Sequence, residues 1–137
     1  MTRPTSVPPV PTFLRAGALA GVLALVVNVA LYYVAVAGGF WDFSIQSPAG
    51  GPITVAPVAI FSLAPAIVGA LLAWVLVRFV PAGLAVFQVV ALVVFVAFLF
   101  PPFQLGAPTG MVWTLQLMHV VVAVPTVVGV LRAVRGA

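Results

Sequence analysis

Four long apolar stretches, Phe13–Ala37, Val55–Val80, Ala82–Phe100 and Met111–Val134, occupy nearly all of this 137-residue chain. A helix rising about 1.5 Å per residue needs roughly 20 apolar residues to cross a hydrocarbon core of about 30 Å. All four stretches are of that order. Lipid offers no water to an open backbone, so an isolated span must satisfy its own N–H and C=O groups as a helix. The expected fold is therefore all-α, a polytopic membrane protein built as a four-helix transmembrane bundle. Residues 1–12 read as an irregular N-terminal lead-in and residues 13–137 as one transmembrane domain. With 65% hydrophobic and 4% charged residues, against about 25% charged in ordinary soluble domains, a soluble fold is excluded.

Gly38–Thr54 and Pro101–Gly110 are rich in Pro, Gly, Ser and Gln, which suits loops. Pro81-Ala82-Gly83 leaves room only for a tight hairpin, which makes spans two and three antiparallel neighbours. The charges then fall into order. Arg3 and Arg15 precede the first span, Arg78 closes the second, and Arg132 and Arg135 close the fourth, so four crossings put every arginine on one side. By the positive-inside rule that side is cytoplasmic, with both termini inside and Asp42 outside, in the plasma (inner) membrane. Arg3 and Arg15 ahead of a run ending Ala35-Val36-Ala37 also resemble a secretory signal, but the run exceeds the about 7–15 residues of such an apolar region.

Polar side chains are rare enough inside the spans to be conspicuous. Counted at about 1.5 Å per residue from the external ends, Asn28 lies roughly 14 Å deep, Ser62 about 11 Å and His119 about 12 Å. Tyr32 stands one turn above Asn28, and Gln116 one turn above His119, on shared helix faces. Asn28, Tyr32, Ser62, Gln116 and His119 are therefore the candidate ligand-binding set, expected to gather in the outer half of the bundle. Helix-bridging polar contacts are the alternative. His119 adds weight to a site because intramembrane ionisable residues are commonly functional. Gln88, near the opposite end, falls outside the group.

Pro65 and Pro125 sit inside spans two and four in the shared pattern Pro-x-apolar-Val-Gly-x-Leu and are expected to kink both helices. The pattern suggests two hairpins related by an axis along the membrane normal, or a chance likeness in Val- and Ala-rich sequence. Ser62 stands ready to serve the Phe61 carbonyl that Pro65 leaves free. Trp41, Asp42 and Phe43 form either an interfacial turn or a lid over the external mouth. Gly17-x-x-x-Gly21, Ala20-x-x-x-Ala24 and Ala66-x-x-x-Ala70 permit close helix approach, within one chain or in a homo-oligomer.

No catalytic set can be quoted, and no cofactor is expected. Without cysteine, disulfides and thiolate sites are absent, and one His lacking carboxylate neighbours makes no zinc site. A small proton-coupled exporter would carry an acidic residue in its first span, where this chain has Asn28. The arginines sit at helix ends and form no nucleic-acid patch. The expected partners are membrane lipid, a small apolar ligand, and a second copy or a larger membrane complex. Two functions are consistent with this reading: a non-enzymatic membrane protein binding or passing a lipid-like molecule within its bundle, or an accessory subunit packing its small-residue faces against a larger complex.

Arg15-Ala16-Gly17 leading into Val27-Asn28-Val29, Pro65 and Gly69 in span two, and Leu117-Met118-His119 followed by Val124-Pro125 resemble a family of small bacterial four-span membrane proteins, Domain of Unknown Function 6069. The resemblance covers nearly the whole chain. It implies four helices and assigns no activity.

Overall fold

The computed structural model describes residues 7–48 and 50–136. They form α1 (Val10–Ala37), α2 (Val55–Phe79), α3 (Gly83–Phe98), the short α4 (Pro101–Gln104) and α5 (Thr109–Arg135). Among the described residues there is no strand, only an isolated bridge between Gln46 and Pro52. Four helices are long and apolar enough to cross a membrane, the third being α3 continued through α4 from Gly83 to Gln104.

The helix ends follow from local chemistry. α1 starts at Val10, so Val10–Thr12, expected to be irregular, are its first turn. Pro9 caps it and Pro11 lies in that turn, where a missing N–H costs nothing because those N–H groups lack partners anyway. Residues 1–6 of the lead-in, Arg3 among them, lie outside the described residues. α3 stops at Phe98, two residues short of the expected span end, ahead of Pro101-Pro102. Between α2 and α3 the hairpin is as tight as anticipated: Ala82 is left-handed, with φ 56°, and a Cβ at Gly83 would collide with the Leu76 carbonyl.

Small residues hold α1 and α2 together. A Cβ added at Gly17 would lie 2.7 Å from Ala70 Cβ and 2.9 Å from the Ala66 carbonyl oxygen, and one at Gly21 2.8 Å from Leu63 Cδ1. Ala20, Ala24, Ala66 and Ala70 are buried in the same region. The spacing that could have served either one chain or several is thus used within one chain. The larger apolar residues Leu19, Val26, Ile60, Phe61, Val68, Val89 and Leu92 face outward. That inversion suits lipid as solvent, because hydrocarbon gives no drive to bury Leu or Val, and helices associate instead through close packing of small side chains.

Two clusters close the ends. Phe13, Ala70, Ala73, Phe87 and Val130 pack at one, and Tyr32, Trp41, Ile53, Val58, Met111 and Met118 at the other. The first joins the start of α1 to the ends of α2 and α5, so Arg15, Arg78, Arg132 and Arg135 share that end, opposite the Asp42 loop. α3 is peripheral: its buried residues are Gly83 and Phe87.

Pro65 and Pro125 both lie inside continuous helices. Their motifs meet where a Cβ at Gly69 would stand 3.3 Å from Thr126 Cγ2. The hairpins they mark do not pack alike, however. α1 and α2 are seated glycine against alanine, whereas α3 and α5 meet through a few long side chains.

Candidate functional site

The candidate polar residues occupy two stations. At the first, Asn28 of α1 donates through Nδ2 to Ser62 Oγ of α2 at 2.9 Å and to the Met118 carbonyl of α5 at 3.2 Å. A carbonyl only accepts, so the amide must present its nitrogen to Met118, and both N–H groups are engaged. Asn28 Oδ1 has no hydrogen-bond partner although Asn28 is 2% exposed. Ser62 Oγ donates to the Val58 carbonyl at 2.7 Å, not to the Phe61 carbonyl that the Pro65 argument assigned it. Tyr32, one turn toward the loop, is buried edge-on against Trp41, with ring centroids 4.9 Å apart.

The second station is on another side of α5. Gln116 Nε2 donates to the Leu99 carbonyl at 2.6 Å, and His119 lies beside Phe98, ring centroids 6.2 Å apart. The His119 Nδ1 contact to the Leu115 carbonyl, at 2.6 Å, requires that nitrogen to carry the proton. Neither residue hydrogen-bonds to Asn28 or Ser62 among the described residues. Helical azimuth explains the division. Successive residues turn by about 100°, so with Met118 directed at Asn28, His119 is about 100° away, and Gln116 lies within about 60° of His119. The two share a face, as expected, but it is the α3 face.

Local sequence explains why Leu99 receives Gln116. Pro102 has no N–H, and Phe103 N–H turns back to the Phe100 carbonyl; the end of α3 therefore carries carbonyls without the usual helical partners. Gln116 supplies one donor from the neighbouring helix. The Pro-Pro pair was the sequence signal for this acceptor, whereas nothing in the side-chain pattern marked Met118, whose contribution is a backbone oxygen.

Beside Gln116 lies a groove of about 360 Å³, with Phe95, Leu99 and Phe103 on one bank and Trp113, Leu117 and Val120 on the other. Trp113, Leu117 and Val120 are exposed, so the groove faces sideways, toward the lipid of a surrounding bilayer. Gln116 is 8% exposed and lines it, yet Oε1 is covered and has no donor.

At the loop end, Trp41 is 7% exposed and donates its indole N–H to the Ile53 carbonyl at 2.9 Å. Asp42 and Phe43 do not join it over the bundle. Phe43 is exposed, and Asp42 Oδ1 accepts from Ser44 Oγ at 2.6 Å and Ser44 N–H at 2.8 Å. The hydroxyl bond first, and the backbone bond second, hold the Asp42 carboxyl below the usual carboxylate range. No group of metal-binding side chains occurs among the described residues.

The model of the family of unknown function DUF6069 matches residues 8–136, and the chain belongs to that family. No curated protein and no solved structure matches the chain.

Proposed function

We propose that this member of the family is a binding protein of the membrane rather than an enzyme, and that it takes a lipid-like molecule in the lateral groove between α3 and α5. The groove carries the reading: an apolar hollow of about 360 Å³ on the outer surface of a four-span bundle, with one amide in its wall. Asn28, Tyr32 and Ser62 are packed shut. They serve as the bridge that joins α1, α2 and α5, while Gln116 and His119, on the α3 side, belong to the binding region. An orientation with both termini cytoplasmic, in the plasma membrane, is supported by the arginines at one end of the bundle. The ground for an accessory subunit is weaker, because the small-residue faces that would dock a partner are occupied by each other.

The test is purification of the full chain in phosphatidylcholine nanodiscs doped with a bilayer lipid extract, followed by native mass spectrometry. Retention of bound lipid by the wild type and its loss in Leu117→Trp, which fills the groove, is expected. Equal retention by both would remove the groove as the site.

A further inference from the structure

We infer that the groove selects a neutral lipid carrying a hydrogen-bond donor, a free hydroxyl as in a diacylglycerol or a long-chain alcohol. This rests on the groove reading of the preceding subsection and specifies its ligand.

The amide of Gln116 is committed at one end and open at the other. Nε2 is held on the Leu99 carbonyl at 2.6 Å, and Oε1 has no donor although the residue is 92% buried by difference from its 8% exposure. An amide oxygen can only accept. Buried without a donor it is unfavourable, and no water reaches it through hydrocarbon. A ligand hydroxyl meets that need. A ketone, ether or ester would bring a second acceptor against Oε1 and gain nothing. The other side chains of the groove are apolar, and Arg15, Arg78, Arg132 and Arg135 are at the far end of the bundle, so nothing in the groove neutralises a phosphate.

Depth agrees with the same class. Gln116 lies three residues beyond Trp113, about 4.5 Å further along the helix. Trp side chains favour the level of the headgroups, so Gln116 stands just beneath it. A hydroxyl attached near the top of an acyl or isoprenoid chain reaches that level while its chain lies against Leu117 and Val120. Oε1 is covered in this conformation; contact requires the flexible Gln116 side chain to turn toward the groove, which loosens its hold on Leu99. Occupancy and the attachment of α3 to α5 are thereby linked.

The probes are dioleoylglycerol and its methyl ether, offered separately to the full chain in phosphatidylcholine nanodiscs and read by native mass spectrometry. Wild type should retain the alcohol about tenfold better than the ether, the ratio equivalent to about 1.4 kcal/mol. Gln116→Met should abolish that preference while still retaining both chains, and Gln116→Glu, whose neutral carboxyl offers both a donor and an acceptor, should keep it at acidic pH. Equal retention of alcohol and ether by the wild type, with both displaced in Leu117→Trp, overturns the donor inference and leaves the groove standing. Retention that ignores Leu117→Trp overturns both. The alcohol-to-ether comparison in the wild type needs no variant to fold.

Discussion

Asn28 and Ser62, 34 positions apart in sequence, meet at 2.9 Å between α1 and α2, and the same Asn28 amide reaches the Met118 carbonyl of α5. One side chain thus ties three helices across the interior.

Removal of either partner should have unequal effects. Asn28→Ala loses both bridges and is expected to cost about 1 kcal/mol, whereas Ser62→Ala leaves the Met118 contact intact and should cost nearer 0.6 kcal/mol, the average for polar contacts between membrane helices. The double variant should be less damaged than the sum of the two, since the shared bond is counted twice. Reversible unfolding in mixed micelles measures all three. Strict additivity would show that the 2.9 Å contact carries no coupling energy.

At the α1–α2 seam, Gly17→Ala is expected to be more damaging than Gly21→Ala. The new methyl at Gly17 meets Ala70 Cβ and the Ala66 backbone, which cannot step aside, while the one at Gly21 first meets the movable end of Leu63. Overpacking of this kind typically costs about 1–3 kcal/mol, and Gly17→Ala should fall in the upper part of that range by the same unfolding assay.

The loop offers a pH prediction with a definite sign. Asp42 has its carboxyl lowered by Ser44, so its folded-state pKa lies below the unfolded one. The contribution of this turn is present above the unfolded-state pKa and is lost as pH falls through the folded-state value. Ser44→Ala should therefore raise the Asp42 titration midpoint, followed by carboxyl carbon NMR, while leaving the fold near neutral pH unchanged. An unmoved midpoint would count against the turn.

Topology is tested by labelling. Gln104→Cys should react with an impermeant thiol reagent from the external side of intact cells, and a reporter fused at Ala137 should behave as cytoplasmic. The reverse pattern would place the arginine end outside.

Much of the fold was legible because lipid narrows the choices: a run of apolar residues at Val55–Val80 or Met111–Val134 has little alternative to a helix, and the observed ends differ by a few residues. Depth along the membrane also brought Asn28 and Ser62 correctly to one level. Depth carries no azimuth, and so His119, level with them, was grouped with residues it does not contact. The spacing of Gly17, Gly21, Ala66 and Ala70 indicated close approach but left the partner open, since intra- and interchain seams need the same small side chains. The Leu99 acceptor required knowing which helix the Pro-Pro break faces, which only the packed bundle supplies.

The termination of α3 has a consequence for the surrounding lipid. Its 16 residues make a rod of about 24 Å, shorter than a typical hydrocarbon thickness of about 30 Å, beside α1, α2 and α5 with 25 to 28 residues each. Such hydrophobic mismatch is relieved by thinning of the bilayer or by tilt. On the α3 flank thinning draws the headgroup plane inward toward Leu99 and so toward the mouth of the groove. The distance a lipid hydroxyl must sink to reach Gln116 is then shortest on this flank, and membrane thickness itself becomes a variable that tunes occupancy.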